Sequence, residues 1–68
     1  MGAILQPGDI VASHITIRNG RNGNVIRAGT YGIVVDRLSQ KIAVQFEKGD
    51  NETTEPLLCL RSNLRLLS

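Results

Sequence analysis

Residues 41–47 read Lys-Ile-Ala-Val-Gln-Phe-Glu. Ile42, Val44 and Phe46 alternate with Lys41, Ala43, Gln45 and Glu47, the period of two expected of a strand with one buried face and one wet face. Upstream, residues 33–37 begin β-branched, are preceded by Gly29 and Gly32, and are followed by a Ser39-Gln40 pair where the chain must reverse. Residues 29–46 are therefore expected to form a hairpin at the centre of a sheet.

The rest of the chain extends that sheet. Pro7-Gly8-Asp9 is a turn signal, and Ile10-Val11 after it starts a first strand that should end near Ser13 or His14. Residues 15–28 carry two Asn-Gly pairs between Ile15/Ile17 and Val25/Ile26, a hairpin-like excursion read as one long first loop. Residues 48–54 are polar and aperiodic, which predicts a solvated loop. After Pro56, residues 57–60 read as a fourth strand, Arg61-Ser62-Asn63 as one helical turn, and residues 64–67 as a fifth strand. The expected fold is all-β: a single domain over residues 1–68, a five-stranded closed or nearly closed barrel with a long first loop and a one-turn helix before the last strand. An open meander completed by a partner is the alternative.

Sixty-eight residues make one domain, and a chain of this size hides only about 60% of the surface its unfolded form exposes. The core must be thin, so docking or oligomerisation would stabilise it. Tyr31 and Phe46 are the only aromatics, which leaves Ile, Val and Leu to build the core and makes base stacking a poor basis for binding. Cys59 is single and set among leucines, as suits a buried thiol in a reducing compartment. There is no twenty-residue apolar run and no basic-then-apolar leader, so a cytoplasmic protein without a membrane span is expected.

Little in the chain points to catalysis. His14 is the only histidine and has no cysteine or acidic residue at metal-ligand spacing, and no nucleophile stands beside a base. Gly20, Gly23, Gly29 and Gly32 lack the order and the strand-to-helix context of a phosphate-binding loop and read as turn glycines. No enzyme activity, cofactor or metal is expected. A polyproline groove needs a cluster of Tyr and Trp that a chain with one Tyr and no Trp cannot build.

The net charge of +2 is small, but the signs separate. Arg18, Arg21 and Arg27 fall in the Asn- and Gly-rich segment, whereas Glu47, Asp50, Glu52 and Glu55 crowd the segment that follows the alternating strand. Arginines on a loop can contact a partner's carboxylates or phosphates.

The turn Pro7-Gly8-Asp9, the Gly-x-Val-Val run from Gly32 to Val35 and the Ile-x-Val-x-Phe run from Ile42 to Phe46 resemble the SH3-like barrels of the KOW type over nearly the whole chain. The Val44-Gln45-Phe46-Glu47-Lys48 stretch and the Leu-rich close further resemble small accessory subunits of photosynthetic electron-transfer complexes, the PsaE and NdhS kinds. The second resemblance implies a non-catalytic docking piece of a larger protein complex. The expected contact residues are Arg18, Arg21, Arg27, Tyr31 as an aromatic anchor, and Arg37. The KOW resemblance implies an alternative, a nucleic-acid-binding module of transcription or translation acting through the Arg18 to Arg27 loop. A homo-oligomer formed through exposed leucines near the C-terminus is a third expectation.

Overall fold

The alternation read in residues 41–47 is realised in the strand that spans Ile42–Gly49, where Val44 and Phe46 are fully buried and Ile42 nearly so. A computed structural model describes residues 4–19, 23–49 and 51–67. In chain order the strands are β1 (Ile10–Ser13), β2 (Ile17–Asn19), β3 (Asn24–Ile26), β4 (Tyr31–Arg37), β5 (Ile42–Gly49), β6 (Glu52–Thr53), β7 (Leu57–Cys59) and β8 (Leu64–Leu66). One 3₁₀ turn, Arg61–Asn63, stands between β7 and β8. The chain is all-β, as its alternation predicts.

The main sheet is antiparallel with the order β6-β5-β4-β1-β8, and β7 pairs with β5 beside β6. Strands β4 and β5 form the expected central hairpin, with Gly32 opposite Phe46 and Arg37 opposite Ile42. Val35 is the extra residue of a bulge between Val34 and Asp36, a device that kinks and twists a strand locally. Gly32 has a specific reason to be glycine. A Cβ there would stand 2.8 Å from the Gln45 carbonyl oxygen and 2.9 Å from Cδ1 of Phe46, closer than carbon atoms pack.

Four expectations need correction. The sheet does not close into a barrel: among the described residues no pairing joins β8 to β6 or β7. After the 3₁₀ turn the chain leaves β7, which pairs with β5, and β8 pairs with β1 at the opposite end of the sheet, where the His14 N–H donates to the Asn63 carbonyl at 2.8 Å. The described strands number eight rather than five. Residues 48–54 are not simply a loop, because β5 runs on to Gly49 and pairs with β6. Gly49 and Asn51 take positive φ, 109° and 63°, a region that glycine and asparagine enter at the least cost. Likewise the long first loop contains a two-stranded ribbon, β2 with β3, in register Ile17 to Ile26 and Arg18 to Val25.

Ten buried side chains form the core, among them Leu5, Val11, Ile26, Val34, Phe46 and Leu64. Ala43, expected on the wet face, is only 7% exposed, because this small residue sits on a strand paired on both sides, opposite Asp36 of β4 and Leu58 of β7. The two buried polar side chains, Ser13 and Thr54, are both hydrogen-bonded, as burial requires. Ser13 Oγ donates to the Arg27 carbonyl at 2.8 Å, and Thr30 Oγ1 donates to the same oxygen at 2.6 Å. The base of the ribbon is thereby tied to β1. Thr54 Oγ1 accepts from the Phe46 N–H at 3.2 Å and donates to the Glu55 carbonyl at 2.8 Å.

Gly32→Ala tests the close approach of β4 to β5. The added methyl meets backbone and core on three sides, so the substitution should cost about 2 kcal/mol or more, read as a fall in the urea midpoint at unchanged m-value. An unchanged midpoint would contradict the packing.

Candidate functional site

The residues expected to bind a partner do not form one cluster. Arg18 stands on β2 opposite Val25, and Arg27 follows β3 at the foot of the ribbon. Both are exposed. Arg27, Lys48, Glu47 and Val25 line a shallow depression of about 280 Å³ where the ribbon meets β5. The backbone there is held by the three donors converging on the Arg27 carbonyl: Ser13 Oγ, Thr30 Oγ1 and the Thr30 N–H. This end of the ribbon therefore presents its cation from a braced position. Arg21 lies outside the described residues.

Tyr31 begins β4 and is 54% exposed. Its register partner is Ala12, and Ala12 is flanked on its other side by Arg65. Tyr31, Arg65, Leu67 and His14 stand round Ala12 in an open depression of about 450 Å³. Arg65 is not among the contact residues expected from the sequence. Arg65 gains its place from the β1–β8 pairing, which joins residues far apart in the chain and leaves no local pattern.

Arg37 closes β4, six residues from Tyr31, or about 20 Å at the rise of a strand. It belongs to a different surface, a groove of about 450 Å³ lined by Ile4, Leu5, Leu38, Ile42 and Arg61. Arg61 comes from the 3₁₀ turn and donates through one guanidinium nitrogen to the Leu64 carbonyl at 2.9 Å. The groove thus combines two cations with the exposed Ile4 and Leu38. The structure separates the ribbon arginines, Tyr31 and Arg37 into three places.

Cys59 lies in the core at 4% exposure, its thiol directed to the Leu57 carbonyl at 3.6 Å. Burial pushes the thiol from its ordinary 9.0 up to about 11, so the nucleophilic thiolate is scarce at neutral pH. Among the described residues no group of three or more His, Cys, Asp or Glu side chains could hold a metal ion. No helix there is long and apolar enough to cross a membrane. Comparison with family models, with curated proteins and with solved structures finds no match.

The raised thiol pKa has a consequence for stability. The folded state holds the Cys59 proton more tightly than the unfolded chain does, so its contribution is complete below about pH 9 and is lost as pH rises through about 11. Wild type should lose on the order of 2 kcal/mol more than Cys59→Val across that interval, measured by urea unfolding at each pH. Parallel pH profiles would contradict it.

Proposed function

We propose that the chain is a non-enzymatic docking module of SH3-like, KOW-type architecture that attaches to a larger protein complex as an accessory subunit in the cytoplasm. One observation carries the reading. Among the described residues eleven large apolar side chains are exposed, against ten residues in the core. Scattered apolar residues on a surface are ordinary, but here they nearly equal the twelve buried apolar residues in number, and six of the eleven lie on strands β3, β4, β7 and β8, a density that suits an interaction surface. The SH3-like assignment draws support from the first strand pairing with the last, the ribbon inserted between β1 and β4, and the 3₁₀ turn before β8.

In this reading Arg18 and Arg27 meet carboxylates of the partner, with Arg21 assigned from the sequence alone. Tyr31 is an amphipathic anchor of the kind that carries binding energy when buried at an interface. Arg37 contributes at the far end of β4. Braced backbone beneath Arg27 lowers the ordering cost of contact.

A second reading, a KOW-type nucleic-acid binder, is favoured by Arg27 and Lys48 sharing one depression beside the ribbon that carries Arg18. Binding of that kind falls steeply with salt, because each phosphate neutralised releases counterions.

Tagged protein expressed in its native host should co-purify with a larger complex, and Arg18→Glu/Arg27→Glu should weaken that association by about tenfold or more. Recovery of the chain alone in repeated preparations overturns the docking reading. Gel shifts at low salt with single- and double-stranded probes decide the second reading, which falls if no complex forms.

A further inference from the structure

The bulge at Val35 decides which side chain stands over the groove at the end of β4. Upstream of it the register pairs Val34 with Val44, both fully buried, and the same register carried on without interruption would bring Asp36 opposite Ile42. The extra residue shifts the pairing by one, and Arg37 takes that place instead. A one-residue shift exchanges the side chains that look inward for those that look outward. Directly opposed residues share a face, so Arg37 stands on the core side of the sheet beside Ile42, while Asp36 pairs with Ala43 on the outward side. The bulge thus puts a cation where an anion would otherwise stand. Re-aiming of a side chain is what bulges do beside functional sites.

The backbone around this bulge is fixed. The Gly8 N–H donates to the Val34 carbonyl at 2.7 Å, and the Val34 N–H donates to the Asp9 carbonyl at 2.9 Å. On the other flank Asp36 Oδ1 accepts the Arg37 N–H at 2.8 Å, and the Leu38 N–H donates to the Lys41 carbonyl at 2.9 Å to close the hairpin tip. The groove beside Arg37 has Leu5 and Ile42 as its floor, 1% and 5% exposed, and Ile4 and Leu38 on its rim, 65% and 46% exposed. Its second cation, Arg61, is steadied by its bond to the Leu64 carbonyl. Ser39 and Gln40 complete the wall, so among the described residues no carboxylate lines the groove.

We infer that this groove binds a partner polypeptide through a segment in which an aspartate or glutamate stands beside an aliphatic residue. The aliphatic side chain covers Leu5 and Ile42 between Ile4 and Leu38. The carboxylate meets Arg37, whose planar fork can donate two parallel hydrogen bonds to such a group. Charge complementarity selects this occupant, because two cations with no anion in the lining attract a carboxylate and repel a basic segment. A nucleic acid fits less well: its phosphates would leave the apolar floor uncovered, and no aromatic ring lines the groove to stack a base. The volume of about 450 Å³ lies in the range of sites for small ligands, enough for the few side chains of one short segment.

The inference rests on the docking reading for its partner and specifies that partner's chemistry at one contact, away from the ribbon arginines. A peptide titration reads the groove without the partner, so the two readings fail separately.

Nuclear magnetic resonance of the isotope-labelled full chain, titrated with the capped peptide Leu-Glu-Leu, should move the amide signals of Arg37, Leu38, Ile42 and Arg61, with half-saturation on the order of 1 mM. Capped Leu-Gln-Leu keeps the shape and loses the charge, whereas Ser-Glu-Ser keeps the charge and loses the apolar groups. Each should bind about tenfold more weakly. Arg37→Gln should weaken Leu-Glu-Leu by about tenfold and Leu38→Ser by several fold. Both residues are exposed, so far-UV circular dichroism should stay unchanged in either variant. Those amides standing still at about 10 mM peptide overturns the inference and leaves the docking reading to its own co-purification test. Equal binding of Leu-Gln-Leu, or indifference to Arg37→Gln, overturns it as well. So does stronger movement of the same amides by a single-stranded oligonucleotide, or by raising the chain's own concentration without peptide, since the occupant is then a nucleic acid or a second copy. Binding as described without a co-purifying complex supports the groove chemistry and strikes the docking reading alone.

Discussion

The fold depends on the approach of the Phe46 ring to the backbone of Gly32. Phe46 is the largest fully buried side chain, and removing such a ring from water is worth about 2 to 3 kcal/mol. Its space exists because the residue opposite it has no side chain. The same residue organises its own neighbourhood through the backbone. Its N–H donates to Thr54 Oγ1 at 3.2 Å, and its carbonyl accepts the Thr54 N–H at 2.9 Å. The segment between β6 and β7 is thus fastened at the point where the core is fullest, and the buried threonine is satisfied by the strand it supports.

What could be read in the sequence was what burial on one face writes there. Ile42, Val44 and Phe46 spell out β5 because each must be apolar, and the 3₁₀ turn at Arg61–Asn63 stood between two leucine-rich runs. Strand β6 was hidden for the opposite reason. Glu52 and Thr53 are both exposed, so pairing with β5 asks only for backbone hydrogen bonds, which any residue but proline can make. The ribbon β2–β3 showed its Asn-Gly turn chemistry but not its strands, each three residues long. The failure of the sheet to close depends on how β7 and β8 part after Cys59, a non-local matter. The functional surfaces followed the same division. Arg18 and Arg27 were visible as a basic segment, whereas Arg37 proved to belong with Arg61, and Arg65 acquires neighbours only once β8 lies along β1.

Strand β4 carries the tension between sequence and size most plainly. Its inward residues Gly32 and Val34 are buried, yet its outward residues Tyr31, Ile33 and Val35 are apolar as well and remain more than a third exposed. A strand apolar on both faces is the pattern of one covered on both faces. Among the described residues there is no α-helix to lay across the outward side, and ten core residues already draw on every strand of the main sheet except β6. In the docking reading proposed above, the second cover comes from the partner.

Association and stability are then one quantity. A ligand that binds only the folded chain stabilises it by RT ln(1 + [L]/Kd), about 2.7 kcal/mol when present at about a hundred times its dissociation constant. For a domain with so thin a core, that gain is comparable to burying one more phenylalanine. The outward apolar residues of β4 would be a liability in an isolated chain, where edge and face contacts invite aggregation. In the docking reading the same residues convert association into folding free energy, a gain that suits a short sheet with open margins, a bulge at Val35 and one buried aromatic ring.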